Sequence, residues 1–131
     1  MIVDTSALLA FFDVNEPAHT KVAAVIDAAD EALVVSPFVI AELDYLLLTR
    51  HGTHAEQTVL DELAGGAWEL PDFGRSRLQA GAAIVQVYAD VPIGLTDASL
   101  IVLADEYRTD RIATLDRRHF SVLRLPGGSP V

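Results

Sequence analysis

Cysteine is absent from this 131-residue chain, which excludes disulfides, thiolate metal sites and cysteine nucleophiles. Positive charge is scarce. Nine lysines and arginines face 19 aspartates and glutamates, a formal net charge of −10, and Lys21 is the one lysine. Passive electrostatic capture of a nucleic acid or an anionic membrane is disfavoured by that balance. A phosphate polymer handled by this chain needs positive charge from another source. Long apolar runs are missing too. The longest, Ala7 to Phe12, falls far short of the ~20 residues of a spanning helix. No basic residue precedes Lys21, so the positive region of an export signal is lacking and a cytoplasmic protein is expected.

Apolar residues make up 51% of the chain, and the mean hydropathy is +0.33. Such a chain is not disordered. Its length suits one domain over 1–131 that buries about two-thirds of its unfolded surface. High hydropathy without a long apolar run also points to apolar surface left for a partner.

Met1-Ile2-Val3 reads as a short strand, and Thr5-Ser6 as caps for a helix through Ala7–Phe12. Apolar spacing predicts a helix over Ala18–Asp30, then a strand at Ala32–Val35. Ser36-Pro37 starts a helix to about Arg50, closed by Gly52. A helix over Thr53–Leu63, a strand at Ala67–Leu70 and a helix from Phe73 to about Ala89 follow. Thr96 caps a helix through Tyr107, and strands at Arg111–Leu115 and Val122–Leu125 precede a loose tail at about 126–131. Short strands alternating with helices predict an α/β fold, a parallel sheet of about five strands covered on both faces. Function in such folds sits beyond the carboxyl ends of the strands.

Four acids project toward that edge. Asp4 follows the first strand and Asp116 the Arg111–Leu115 strand; Asp97 falls in the first turn of a returning helix. Glu42 lies about five residues past Pro37, roughly 8–9 Å along its helix. Its helical neighbours Phe38, Val39, Tyr45 and Leu46 make it an acid on an apolar face, where it loses hydration unless compensated. Asp44 points about 200° away, so Glu42 is preferred. Each acid also has an ordinary reading: Asp4 as a helix cap, Asp97 as a dipole partner, Asp116 as a turn residue, Glu42 in an ion pair. Convergence argues otherwise, because clustered carboxylates repel unless a hard cation such as Mg²⁺ or Mn²⁺ joins them. Such a cation also supplies the missing positive field.

The segments Met1-Ile2-Val3-Asp4-Thr5-Ser6-Ala7-Leu8-Leu9, Ser36-Pro37 through Ala41-Glu42-Leu43, Leu95-Thr96-Asp97-Ala98-Ser99-Leu100 and Thr114-Leu115-Asp116-Arg117-Arg118-His119-Phe120 together resemble the PIN domain family, most closely its VapC-type toxin ribonucleases. The resemblance implies a three-layer α/β/α sandwich and a Mg²⁺- or Mn²⁺-dependent endoribonuclease. It implies Asp4, Glu42, Asp97 and Asp116 as metal-site acids, with Ser6 as a hydroxyl that orders the site. It further implies a cognate VapB-type antitoxin that blocks the groove, a homodimer, and RNA as substrate, transfer RNA first. Many relatives carry a further acid near position 99, where this chain has Ser99.

Arg117 and Arg118 are possible RNA contacts, against a reading as solvated turn residues. His119, His51 and His54 read as turn, loop or helix-start residues, and Tyr45, Tyr88, Tyr107 and Trp68 as packing groups. Two rival functions use the same acids. An aspartyl-phosphate phosphatase would place its nucleophile at Asp4, but Ser6 stands where a second aspartate is usual and Lys21 lies in the wrong region. A non-catalytic binding module would carry the acids as a vestige.

Overall fold

A computed structural model describes residues 1–116. Arg117, Arg118, His119, the expected strand at 122–125 and the expected loose tail lie outside the described residues. The first strand, β1 (Ile2–Val3), pairs in parallel with β2 (Ile112–Ala113). Asp4 N–H donates to the Ala113 carbonyl and Ile2 N–H to that of Arg111, each at 2.9 Å. On its other side β1 meets a parallel bridge at Val34, which in turn bridges Glu69. The spatial order is therefore β2, β1, Val34, Glu69, with the first strand inside.

The strands expected at Ala32–Val35 and Ala67–Leu70 are thus single bridges, and the described sheet is smaller than five strands. Proline explains part of this. Pro37 and Pro71 follow closely and have no N–H to continue a ladder.

Between these rungs run α1 (Thr5–Phe12), α2 (His19–Asp27), α3 (Pro37–His51), α4 (Thr53–Ala64), α5 (Arg75–Val87) and α6 (Leu95–Glu106). Ser36 caps α3 as expected, its hydroxyl accepting from Phe38 N–H, and Gly52 ends it at φ +91°, a conformation that side chains resist. His51 is the last residue of α3 and approaches Asp13 at 3.3 Å. Two cap assignments change. Asp4, not Thr5 or Ser6, is the N-cap of α1, because its backbone is extended and its carbonyl already accepts from Leu8. Gly94, not Thr96, precedes α6, because its carbonyl accepts from Ala98 and starts the helix two residues earlier.

Helix α6 is the centre of the fold. Ala98 through Ala104 are buried without interruption, as expected of a helix apolar on every side. It touches β1, α3 and α5. Gly81 permits the last contact, since a Cβ there would lie 3.2 Å from Leu95 Cδ1. Helix α3 contributes Val39, Leu43 and Leu47, one residue per four, to the same core. Trp68 is buried against Phe11 and Phe12, as a packing group should be. Tyr88 and Tyr107 are partly buried against the core, whereas Tyr45 is 65% exposed on the outer side of α3.

A buried pair of hydroxyls joins the starts of α3 and α6. Phe38 N–H donates to Ser36 Oγ, which lies 2.8 Å from Ser99 Oγ, and Ser99 donates to the Thr96 carbonyl. Ser99 spends its one proton on that carbonyl, so Ser36 is the donor between them. Ser99 is fully buried in this link, which sets the spacing of the two helices that carry Glu42 and Asp97.

Candidate active site

Both strands end at the same edge because they run parallel. Asp4 emerges from β1 there, and Thr114, Leu115 and Asp116 emerge from β2. A cleft of about 470 Å³ opens at this edge, and Asp4, Glu42, Asp97 and Asp116 all line it. The four expected acids, separated by up to 112 positions, are gathered on one surface. Glu16, which no pattern in the sequence singled out, is a fifth, and Arg50 also lines the wall. Asp44 does not line the cleft.

Asp4 is the most constrained of the acids. Its side chain is buried, and one carboxylate oxygen accepts from Thr5 N–H at 2.7 Å while the other accepts from the Thr114 hydroxyl at 2.8 Å. Capping and a place on the cleft wall therefore coincide in one residue. Burial is the main cause holding its carboxyl above the usual range. The Thr114 and Thr5 hydrogen bonds oppose that rise, and the negative charges of Asp97 and Glu42 add to it. This is a carboxylate whose surroundings favour a cation.

Thr114 was not singled out from the sequence, although it lies within the Arg111–Leu115 segment read as a strand. A carboxylate is a stronger acceptor than a carbonyl, so the Thr114 proton points to Asp4 at 2.8 Å and not to the Asp116 carbonyl at 3.3 Å. Asp116 N–H in turn donates to Thr114 Oγ1 at 3.0 Å, fixing the turn that carries Asp116. Ser6 completes the chain. Its oxygen accepts from Leu115 N–H at 2.9 Å and its proton is left for Thr114 Oγ1 at 3.3 Å. One threonine hydroxyl thus links Asp4, Ser6 and Asp116.

Replacing Thr114 by valine should cost about 1–2 kcal/mol of stability, because Asp116 N–H and the Ser6 hydroxyl lose their acceptor. It should also push the Asp4 carboxyl further up, read by NMR titration of its carboxyl carbon. Serine at 114 should leave that titration in place, and an unchanged Asp4 titration in the valine variant would refute the link.

Glu42 is exposed on α3, not sunk into an apolar face. The apolar stripe of α3 runs through Val39, Leu43 and Leu47, so Glu42 sits beside it and stays hydrated. Asp97 stands in the first turn of α6, partly buried. Lys21, exposed on α2, does not line the cleft, so the phosphatase reading finds no supporting lysine there. Ser99, buried away from the wall, is not a cleft residue either, and an acid at that position would have to enter the core.

Among the described residues the donors offered are carboxylates and hydroxyls, without histidine or thiolate, a set that suits hard divalent cations. Among the described residues no three of these acids are drawn together into a ready-made metal cluster.

An acid-lined cleft at the carboxyl edge of a small parallel sheet, enclosed by this order of helices, defines a PIN domain. The PIN domain family matches residues 1–124, and the chain belongs to that family as a VapC-type member. It is 59% identical to Ribonuclease VapC26 of Mycobacterium tuberculosis over 128 residues, covering 98% of this chain and 95% of that protein. Among solved structures, the fold is similar to Mycobacterium tuberculosis VapC20, described as a sarcin-ricin loop cleaving toxin. The TM-score is 0.82 at 14% identity, covering 89% of this chain and 90% of that one. A toxin–antitoxin complex from Klebsiella pneumoniae matches with a TM-score of 0.72 at 17% identity, covering 93% and 91%. VapBC2 from Rickettsia felis, solved on a fragment of its promoter, matches with 0.68 at 16% identity, covering 92% and 90%.

Proposed function

We propose that this protein is a ribonuclease toxin of a toxin–antitoxin pair, a metal-dependent endoribonuclease that hydrolyses RNA phosphodiester bonds. The observation that carries the reading is the arrival of Asp4, Glu42, Asp97 and Asp116, from four separate elements, at one cleft. In this reading those four residues would hold Mg²⁺ or Mn²⁺. The bound ion would supply positive charge toward the phosphate and acidify a water for in-line attack. Asp4 and Asp116 are held in place for that task by Thr114, and Ser6 holds Thr114. Arg117 and Arg118, which follow Asp116 directly, are proposed phosphate contacts.

The same reading gives the protein a VapB-type antitoxin whose basic segment covers the acid cleft. The net charge of −10 suits a basic occupant. It also includes a homodimer, action in the cytoplasm, and a three-layer α/β/α sandwich. No helix among the described residues is long and apolar enough to cross a membrane.

The purified chain, incubated with transfer, ribosomal and messenger RNA in Mg²⁺ or Mn²⁺, should leave discrete internal cuts. Sequencing of the new ends identifies the substrate, and Asp97→Asn should leave the RNA whole. A wild-type protein that cuts none of these RNAs in either ion overturns the proposal, as does full activity in Asp97→Asn.

A further inference from the structure

We propose that Arg50 is the substrate anchor of the cleft, gripping an RNA backbone phosphate next to the one that is cut; this rests on the ribonuclease reading above. Five carboxylates line the wall, and among the described residues Arg50 is the one cation beside them. It forms no ion pair with any of them among the described residues. Arg77 and Arg111 pair with Glu106 and Glu31, and Arg75 and Arg108 do not line the cleft. In a chain with nine basic residues, an arginine on the wall of an acid-lined cleft is a selective placement.

Position on α3 favours the same role. Glu42, Leu46 and Arg50 recur every four residues and all line the cleft. Successive members are about 6 Å apart along the helix and drift by about 40°. Arg50 therefore lies about 12 Å along the axis from Glu42, two turns away from the acids that would hold a metal. That distance suits a neighbouring phosphate better than the reacting one. A positive charge in the last turn of a helix also complements its dipole. The dipole favours the charge anywhere around that turn, and does not explain its placement on the cleft side. A guanidinium matches a phosphate bidentately, and it offsets part of the repulsion that the acids exert on an approaching RNA.

The test uses the full chain and a short RNA spanning the mapped cut. Arg50→Gln should raise KM about tenfold with kcat within about twofold, and should lower the slope of log KM against log salt by about one. Arg50→Lys should recover part of the affinity. Neutral methylphosphonates, placed at one linkage at a time, then locate the contact. At one flanking linkage wild type should fall to the Arg50→Gln level while the variant is indifferent. Unchanged KM and salt slope in Arg50→Gln, beside an active wild type, overturns the Arg50 assignment and leaves the ribonuclease reading standing. An equal loss in both proteins at every linkage overturns it too. Wild type without RNA cleavage removes the function itself, a result read before any Arg50 variant is made.

Discussion

Asp4→Asn is expected to reduce RNA cleavage by about a thousandfold or more, while its melting temperature stays level or rises. A thousandfold is about 4 kcal/mol of transition-state stabilisation, a plausible loss when a buried anionic ligand becomes neutral. The stability expectation follows from the hydrogen bonds. Asparagine keeps an oxygen for Thr5 N–H, and asparagine and aspartate are comparable helix caps. Its amide would face Thr114 Oγ1, which can accept once the Ser6 proton turns away from it and its own proton turns to the Asp116 carbonyl at 3.3 Å. Removing the charge also relieves burial and the repulsion from Asp97 and Glu42. Initial rates and thermal melts of wild type and variant, taken together, check both halves. Cleavage within tenfold of wild type would remove Asp4 from the site. A melting temperature several degrees lower would refute the exchange of hydrogen bonds. Asp4→Ala differs by losing the cap, at about 1 kcal/mol.

Chelation is expected to be equally severe: EDTA should bring cleavage to background, a loss of about a thousandfold, and excess Mg²⁺ or Mn²⁺ should restore it. The same ions should stabilise the fold. At a hundredfold excess over Kd, the gain is about 2.7 kcal/mol, or roughly 5–10 °C for a domain of this size. Asp97→Asn should lose most of that shift, and equal shifts in both proteins would sink the assignment of the ion to these acids.

The raised Asp4 carboxyl adds a pH signature. The metal-free folded state binds a proton at Asp4 more tightly than the unfolded chain, whose ordinary value is 3.8. Asp4 therefore stabilises the metal-free protein in acid, and this contribution disappears as pH rises from that ordinary value through its raised one. Glu31, held below its usual range chiefly by the amino group of Met1, acts in the opposite direction. Taking wild type minus Asp4→Asn isolates the Asp4 contribution, which should fall with pH without metal. With saturating Mn²⁺ it should rise instead, because the ion binds the ionised form. A pH-independent difference in both conditions would contradict the burial of this charge.

Much of this was legible in local pattern. Ser36-Pro37 and Gly52 mark both ends of α3, and Thr53–Ala64 and Arg75–Val87 form helices close to their expected bounds. Strand lengths were not legible. An apolar tetrad such as Ala32–Val35 says that a segment is buried, but ladder length depends on what lies alongside and on Pro37 downstream. The environment of Glu42 was misjudged for a similar reason. Neighbours at helical spacing were known, but which stripe faced the core depends on the contact of α3 with α6.

Composition and local pattern determined the absence of thiol chemistry, the acidic balance, the alternation of strand and helix, and four acids as candidates for one edge. Those properties reside in residue type and short-range spacing, which a linear chain displays directly. Tertiary structure alone decided that Thr114 ties Asp4 to Ser6 and Asp116, that Ser99 is a buried link to Ser36, and that Arg50 and Glu16 share the cleft. Such contacts join positions tens of residues apart, and a hydrogen bond or a shared wall exists only once packing has set their separation.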